Sequence, residues 1–390
     1  MIRTPAVRRA FLRVPRERFV PDIAAKEGLA RVYADAALLT RMPQSGLPTS
    51  SSSQPAIMAE MLERLDLRPG LRVLEIGAGT GYNAALLSTL VGPGGHVTSV
   101  ELQWDLADRA AKALRDGGYP VEVVVGDAQK GRFGDTPFDR IILTASTDHV
   151  APVWFDQLVP GGLIEMPLRF GPPGPYHQMV LTFRRVDDSL RSVAMVWGGF
   201  MFLRSAGDGG GSEQPGPSLT LNEFIDGSHR SFVQLTGEGL ARMRPEARRR
   251  LASLLFGEPR ARSVPVRRPA TASILPFLAW AESRQGVVVG LQRETGYGVG
   301  IASTDGRSLA LLVDHKPDRC RLLSYGEDGA GDLLRAEVAR WRALGQPTLS
   351  DWLIEVTFGD TAPTRDGGEV RVLRRRDCWI TVSWPPACVA

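Results

Sequence analysis

The feature that most constrains the fold is a regular alternation of short apolar runs with helical patterns in the first half of the chain. Segments of helical length separate these runs, so each strand can lie parallel to the one before it. Alternation of this kind is typical of βαβ units and of an α/β fold built on a parallel sheet. The five runs are RVLEIG (72–77), HVTSVEL (96–102), VEVVVGD (121–127), FDRIILTAS (138–146) and GGLIEMPL (161–168).

Two further runs, QMVLTFRR (178–185) and SVAMVWGG (192–199), leave no room for a helix between them. Neighbouring strands with a short connection pair antiparallel, so we expect a hairpin at the edge of the sheet. The first half of the chain is therefore predicted to contain a seven-stranded, mostly parallel sheet.

A change in composition marks a boundary near the middle of the chain. The segment SAGDGGGSEQPGPS (205–218) is rich in glycine, serine and proline and predicts a flexible linker. We expect residues 1–204 to form one domain and residues 219–390 a separate α+β domain, so that a cut in the linker would leave the first domain folded. Helical patterns lie near 244–257 and 331–345, and strand-like runs lie at 286–292, 297–303, 308–314, 352–358, 369–374 and 379–384.

Composition excludes several classes of protein. The chain of 390 residues is 43% hydrophobic, contains no long apolar run and begins without the apolar stretch of a signal peptide, which predicts a cytoplasmic protein with no membrane partner. Its three cysteines lie late without paired spacing and its histidines show no ligand spacing, so neither a disulfide framework nor a metal is expected. A net charge of +4 is too small to indicate a nucleic-acid partner.

The segment VLEIGAGTGYNAALL (73–87) follows the first strand and opens a helix. A dinucleotide fingerprint would need its third glycine at position 82, where this chain has Tyr82. The spacing instead favours S-adenosylmethionine, whose methionine part needs a tight turn without side chains. The candidate residues of this turn are Glu75, Gly77, Gly79 and Gly81.

Acidic residues end the next two strands. Glu101 is placed to accept hydrogen bonds from the two ribose hydroxyls of the cofactor, and Asp127, beside Ala128, could accept from its adenine amino group. Taken alone, Glu101 could be a solvated carboxylate and Asp127 a turn former. Ligands of open α/β sheets bind at the carboxyl ends of successive strands, which favours the cofactor-binding interpretation. Thr144, after the fourth strand, is a weaker candidate for the same pocket.

Six blocks of the first half of the chain, in order, resemble those of the protein-L-isoaspartate O-methyltransferases. The resemblance covers about residues 7 to 204 and implies a Rossmann-like class I S-adenosylmethionine-dependent methyltransferase. The blocks are FLRVPRERFVP, SQPAIMAEML, LRVLEIGAGTGYNAALLS, VEVVVGDA, PFDRIILTAS and FDQLVPGGLIEMPL.

In that family a serine just before the first core helix lies beside the transferring methyl group, and Ser53 matches it. A carboxylate with a pKa of about 4 is already ionised at neutral pH, so its methylation needs orientation rather than a general base. Local sequence alone favours a simpler role for Ser53, as the cap of the following helix. Ser51 either shares the task of Ser53 or has none.

The chain departs from the family pattern at several places. Phe202-Leu203-Arg204 stands where the family has Val-Pro-Leu, and Met166-Pro167-Leu168-Arg169 stands where it has Leu-Pro-Val-Gly. The chain starts almost at VRRAFLRVPRERF, so we expect it to lack the first helix that usually covers the family's substrate site, and about 170 residues follow the linker. This combination resembles the branch of the family that tailors ribosomally made peptides by methylating an aspartate that then closes to an aspartimide.

Three functions stay open at this point. The first is tailoring of a dedicated precursor peptide, with the C-terminal domain binding its leader or core. The second is general repair of isoaspartyl residues in proteins, and both of these need a peptide or protein substrate. The third is a module that binds S-adenosylmethionine without catalysis, or one that binds nucleic acid through RPEARRR (244–250). The arginines of that segment are also explained as a solvated helix face, because no aromatic residues are interleaved with them.

Overall fold

The computed structural model describes most of the chain. The described residues are 2–42, 49–169, 178–206, 218–225, 229–236, 239–240, 243–265, 277–278, 287–293, 296–316, 319–364 and 369–384. Most of the expected linker, residues 207–217, lies outside them, so the linker stays a prediction.

The helices are α1 (Pro5–Arg13), α2 (Pro21–Val32), α3 (Pro55–Arg64), α4 (Tyr82–Val91), α5 (Trp104–Asp116), α6 (Pro152–Asp156), α7 (Pro245–Leu254) and α8 (Gly329–Ala343). The strands of the first half are β1 (Leu38–Arg41), β2 (Ser50–Ser52), β3 (Arg72–Ile76), β4 (His96–Glu101), β5 (Val121–Val125), β6 (Phe138–Leu143), β7 (Leu158–Arg169), β8 (Gln178–Val186) and β9 (Ser189–Trp197). Those of the second half are β10 (Ser218–Ile225), β11 (His229–Thr236), β12 (Arg260–Pro265), β13 (Val287–Arg293), β14 (Gly296–Ala302), β15 (Ser308–Lys316), β16 (Arg319–Gly326), β17 (Leu353–Thr357), β18 (Glu369–Arg374) and β19 (Trp379–Trp384).

The expected parallel strands form one side of the main sheet, in the order β5-β4-β3-β6-β7, with β5 at its edge. Val73, Leu74 and Ile76 of β3 are almost completely buried, as expected for a central strand that is covered on both faces. From β5 the chain returns to the other side of β3 to form β6. This change of direction leaves a crevice at the carboxyl ends of β3 and β6, where open α/β sheets bind ligands.

The sheet has ten strands rather than the expected seven, and the β8–β9 hairpin lies inside it rather than at its edge. Strand β17 pairs antiparallel with β9, and β19 and β18 follow. The outer edge of β9 would otherwise present unpaired backbone groups, which β17 satisfies. The pairing is reinforced by Glu355, which accepts hydrogen bonds from Arg191 Nε (2.8 Å) and Ser189 Oγ (3.0 Å).

A second sheet of seven antiparallel strands follows, in the order β10-β11-β13-β14-β15-β16-β12. Helices cover both of its faces, as the alternating side chains of β15 show. Leu309 and Leu311 pack in the cluster that contains α7, whereas Ala310 and Leu312 pack in the cluster that contains α8.

The main core continues from the first half of the chain into the second. One cluster of buried side chains joins Leu74 and Ile141 of the parallel strands to Ile354 of β17, Val382 of β19 and Trp341 of α8. The described part of residues 219–390 therefore shares both a sheet and a core with residues 1–204, which differs from the expected separate domain. No helix in the described ranges is both long enough and apolar enough to cross a membrane.

Candidate active site

A cavity of about 450 Å³ opens at the carboxyl ends of β3, β4 and β6. This volume is in the usual range for small-molecule sites. Its walls are the glycine turn after β3, the end of β4, the serine strand β2 and the segment 201–204. The expected site residues that line it are Ser53, Gly77, Gly79, Glu101, Ala128 and Thr144, whereas Glu75, Gly81 and Asp127 do not.

The turn after β3 depends on glycine. Gly77 and Gly79 have φ angles of 98° and 54°, and a Cβ on Gly77 would lie 2.6 Å from Thr144 Oγ1. The Thr144 hydroxyl donates to the carbonyl oxygen of Gly77 at 2.6 Å, so this side chain secures the turn as well as lining the cavity. Gly81 lies behind the turn, where it is the N-cap of α4 with φ 85°.

Glu101 ends β4 with its carboxylate already oriented. Its two oxygens accept hydrogen bonds from the backbone N–H groups of Gly79 (3.0 Å) and Gln103 (3.2 Å), and the residue is 8% exposed. An ionised carboxylate has about four acceptor positions, so two remain for donors in the cavity. This arrangement suits a pair of neighbouring hydroxyl groups.

Glu75 is fully buried behind the turn and orients the side chain of Asn83, which lines the cavity. Its carboxyl group accepts from Asn83 Nδ2 at 2.8 Å and from the Ser99 hydroxyl. Burial raises the pKa of Glu75 to about 7, although these two hydrogen bonds act in the opposite direction. With the amide in this orientation, Asn83 Oδ1 is buried in the cavity wall without a partner among the described residues. The sequence analysis missed Asn83, because nothing in the local pattern distinguishes it from an ordinary helix residue.

Asp127 is held by other parts of the chain. One oxygen accepts from Gln129 N–H at 3.0 Å, and the other accepts from Ala206 N–H at 2.9 Å and from the Ser205 hydroxyl. Partial burial raises its pKa, but these hydrogen bonds outweigh it and lower the pKa below its ordinary value. Asp127 thus ties the start of the expected linker to the end of β5, and its adenine-binding role stays a prediction.

The serine run forms a strand, not a flexible joint. In β2, Ser50 and Ser52 are each 3% exposed. The Thr40 hydroxyl donates to Ser50 Oγ at 2.9 Å, and Arg16 Nε donates to Ser52 Oγ at 3.3 Å. Ser51 and Ser53 are partly exposed, line the cavity and have no hydrogen-bond partner for their hydroxyls among the described residues. This alternation is that of an extended chain, and it leaves two hydroxyl groups available to a ligand.

The N-terminus of α3 is capped by Asp35 rather than by Ser53. Gln54 is the N-cap residue and makes no capping hydrogen bond to the helix. Asp35 instead accepts from the backbone N–H of Ala56 at 2.9 Å and from Gln54 Nε2 at 3.0 Å. The capping alternative considered for Ser53 therefore does not apply.

Arg16 fixes the serine strand from behind. Its side chain is 1% exposed, and its guanidinium donates to the carbonyl oxygens of Ser53 (2.9 Å), Ser52 (3.3 Å) and Val32 (2.8 Å). Desolvation by burial lowers the pKa of Arg16. Its position in RVPRERF resembles a basic surface stretch, so the sequence carried no signal of this role.

The wall opposite the glycine turn is built from residues that depart from the family pattern. Phe202 lines the cavity, and the guanidinium of Arg169 lies 4.4 Å from the centre of its ring. Arg204 also lines the cavity and donates from Nη2 to the carbonyl oxygen of Thr49 at 3.2 Å. The two departures noted in the sequence are thus in contact with each other.

The geometry of the cavity fits S-adenosylmethionine. The glycine turn leaves room for an amino-acid moiety, Glu101 has free acceptor positions, and Asn83 Oδ1 is a buried acceptor that lacks a donor. Among the side chains that the structure describes, no group of three histidine, cysteine or acidic residues could hold a metal ion.

Comparison with known proteins agrees with this fit. The family model described as Protein-L-isoaspartate(D-aspartate) O-methyltransferase (PCMT) matches residues 1–203. A Methanothermobacter thermautotrophicus protein named Protein-L-isoaspartate O-methyltransferase is 38% identical over 210 residues, which are 54% of this chain and 90% of that protein. A Thermotoga maritima protein of the same name is 40% identical over 163 residues, which are 42% of this chain and 50% of that protein. A solved structure titled Protein-L-isoaspartate O-methyltransferase is 24% identical with a TM-score of 0.49, covering 90% of this chain and 92% of that one.

Proposed function

Because the chain belongs to the protein-L-isoaspartate(D-aspartate) O-methyltransferase family, we propose that it methylates an aspartyl side chain of a dedicated, ribosomally made precursor peptide. The family makes it an S-adenosylmethionine-dependent O-methyltransferase of (iso)aspartyl carboxyl groups. The finer proposal concerns the substrate, and it extends to the ring closure that follows methylation. We place the reaction in the cytoplasm, where a newly made peptide is available.

The cavity supplies binding and orientation. Glu101 and Asn83 would hold the cofactor beside the glycine turn, and the cofactor supplies a methyl group on a positively charged sulfur. The hydroxyls of Ser51 and Ser53 can each donate a hydrogen bond to the substrate carboxylate, which fixes it without neutralising it. Because the carboxylate is already ionised, placement is the main contribution required, and good placement of reactants is worth up to roughly 7–11 kcal/mol.

The observation that carries the tailoring proposal is the altered cavity wall. Phe202 and Arg204 line the cavity where the family has smaller, uncharged residues, and Arg169 packs on Phe202. A bulky ring, and a cation that no described carboxylate balances, change which peptides fit beside the serine strand. This supports a substrate different from a generic damaged protein.

Methylation of an aspartate makes ring closure favourable. The backbone nitrogen of the following residue attacks the ester carbonyl carbon, a C–N bond forms and the bond to the methoxy oxygen breaks. Methanol leaves with the proton of the nitrogen, and the product is a five-membered aspartimide. The reaction needs no further reagent.

Repair of isoaspartyl residues is the second candidate, and the names of the relatives favour it. The Thermotoga maritima relative is twice as long as its matched segment, so sequence outside the matched region also occurs under that name. The C-terminal half of this chain by itself therefore does not decide between the two. We propose that it contributes to peptide recognition.

The test compares two substrates with the full-length enzyme and S-adenosylmethionine. One is a candidate precursor peptide, which would be sought as a small open reading frame among the neighbouring genes, and the other is a short peptide containing isoaspartate. We expect the first to gain one methyl ester and then lose methanol, as read by intact mass, with a kcat/KM at least about tenfold above that of the second. Efficient methylation of the isoaspartyl peptide without reaction of the encoded peptide would return the enzyme to the repair class.

A further inference from the structure

Arg204 is a cation in the cavity wall that no described carboxylate balances. It is half-buried, and among the described residues its guanidinium donates one hydrogen bond, from Nη2 to the carbonyl oxygen of Thr49. A guanidinium has five N–H donors, so most of them are unused here. Arg41, another arginine of the wall, differs because Asp105 Oδ2 lies 2.9 Å from its Nη1.

The wall does not need the Arg204 side chain to hold its position. Just before it, the backbone N–H of Leu203 donates to the carbonyl oxygen of Ser146 at 2.7 Å. Just after it, the backbone N–H of Ala206 donates to Asp127 Oδ2 at 2.9 Å. The backbone of Arg204 is therefore fixed on both sides, and its side chain is carried into the cavity by a rigid segment.

We propose that Arg204 binds a second carboxylate of the substrate, on an acidic residue close to the methylated one. A planar guanidinium pairs with a carboxylate through two parallel hydrogen bonds, which makes it suited to this ligand. The inference rests on the proposed function in one respect, namely that the target carboxylate lies at Ser53.

The geometry limits the spacing between the two carboxylates. An extended chain rises about 3.3 Å per residue, so Thr49, which Arg204 contacts, is at most about 13 Å from Ser53. An extended peptide covers the same span in about four residues. The second acidic residue is therefore expected within about four positions of the target.

S-adenosylmethionine also carries a carboxylate, so cofactor binding must be measured separately from peptide binding. The probes are short peptides with a target aspartate or isoaspartate, each made with either glutamate or glutamine at one position within about four residues of it. Peptide affinity is measured by calorimetry with S-adenosylhomocysteine present, and kcat/KM with S-adenosylmethionine.

We expect the wild-type enzyme to prefer the glutamate peptide by roughly tenfold to a hundredfold, the usual worth of a hydrogen-bonded charge pair. Arg204→Leu should bring this ratio close to one, mainly through KM, and Arg204→Lys should give an intermediate ratio. The affinity of Arg204→Leu for S-adenosylmethionine should stay within about threefold of wild type. Arg41→Leu is the matched control and should keep the wild-type ratio, because the charge of Arg41 is already balanced.

Several results would overturn the proposal. If the wild-type enzyme binds the two peptides equally well, or binds neither, then it does not recognise a second carboxylate on the substrate. If Arg204→Leu keeps the wild-type ratio of glutamate-peptide to glutamine-peptide affinity, the side chain only supports Thr49. If Arg204→Leu instead loses much of its cofactor affinity, Arg204 binds the carboxylate of the cofactor. If only the isoaspartyl peptides are accepted but the ratio still collapses in Arg204→Leu, the role of Arg204 stands and the tailoring function fails.

Discussion

Ser50, Ser51, Ser52 and Ser53 all line the cavity, but only the hydroxyls of Ser51 and Ser53 have no hydrogen-bond partner among the described residues. We predict that Ser53→Ala lowers kcat by on the order of tenfold to a thousandfold while cofactor affinity stays nearly unchanged, because orientation of the carboxylate is lost. The shape of the pH profile of kcat should be the same in both proteins, since Ser53 takes part in no proton transfer. Steady-state kinetics and calorimetry would measure these quantities.

Ser51 and Ser52 provide the controls for this prediction. Ser51→Ala should lower kcat as well if the two hydroxyls share the carboxylate. Ser52→Ala removes a buried partner of Arg16 and should lower the free energy of unfolding more than it lowers kcat. Equal losses of kcat in Ser50→Ala, Ser51→Ala, Ser52→Ala and Ser53→Ala would mean that only the shape of the strand matters.

Glu75 makes stability depend on pH. Burial raises the pKa of Glu75 to about 7 in the native state. Between the pKa of this group in the unfolded chain and about pH 7, the native state therefore keeps a proton that the unfolded chain releases. Stability should therefore fall as the pH rises through this window and stay level above it. Glu75→Gln should remove a change on the order of 2 kcal/mol in the free energy of unfolding between about pH 5 and about pH 7.5.

Urea unfolding of both proteins at the two pH values would measure this effect. Glu165 is also fully buried with a raised pKa, caused first by desolvation, and contributes in the same direction. The informative quantity is thus the difference between wild type and Glu75→Gln. An identical pH dependence in the two proteins would show that the pKa of Glu75 is the same in the native and unfolded states.

At the scale of single elements, the strand β2 and its neighbour β1 depend on one buried side chain. Arg16 contacts the carbonyl oxygens of Ser52 and Ser53, and the chain end of α2 at Val32. We predict that Arg16→Ala lowers the free energy of unfolding by at least about 2 kcal/mol, because several buried acceptors lose their donor. It should also lower kcat, because Ser53 is no longer held.

Arg16→Lys separates these two effects. Lysine keeps the positive charge but lacks the planar fork that reaches several carbonyl oxygens at once, so we expect intermediate stability with kcat still reduced. Unfolding in urea and kinetics at saturating cofactor would report both quantities. Wild-type kcat in Arg16→Ala would show that the serine strand holds its shape without this contact.

Some of the strands could be predicted from the sequence and others could not. The strands β3 to β9 were recognisable because apolar runs alternate with helices, and the glycine turn and Glu101 follow from their places at strand ends. Strand β12 was missed because five of its six residues are exposed, with Arg260 and Arg262 among them. The pairing of β17 with β9 joins residues more than 160 positions apart, and a local pattern carries no information about such a partner. Arg16 was missed for the same reason, because the carbonyl oxygens that it contacts lie 16 to 37 positions away. Asn83 was missed because nothing in the local pattern distinguishes it from an ordinary helix residue.

At the scale of the whole molecule, the two halves of the chain stabilise each other. Phe358 lies 5.0 Å from Phe155, measured between ring centres, and Cys378 Sγ accepts a hydrogen bond from Val150 N–H at 3.4 Å. Leu190 of β9 is completely buried in the shared cluster. The C-terminal strands thus cover apolar surface that belongs to the methyltransferase half.

This continuity changes the expected result of cutting the chain after Ala206. Removal of the following residues uncovers the edge of β9 and apolar side chains such as Leu190 and Phe155, each worth roughly 1.5–3 kcal/mol of burial. Since whole proteins are stable by only about 5–15 kcal/mol, we predict that the truncated protein aggregates or melts well below the full chain. Size-exclusion chromatography and thermal unfolding by circular dichroism would measure this.

A nicked protein provides the matched control. A protease site placed within residues 207–217 lets the chain be cut while both pieces stay present. Because the shared sheet and core hold the pieces together without the linker, the nicked protein should elute as one species, keep its S-adenosylmethionine affinity within about threefold and unfold near the temperature of the uncut chain. A truncated protein that is monodisperse, with an unchanged melting temperature, would instead show that residues 1–206 fold alone and that the C-terminal strands add nothing to their stability.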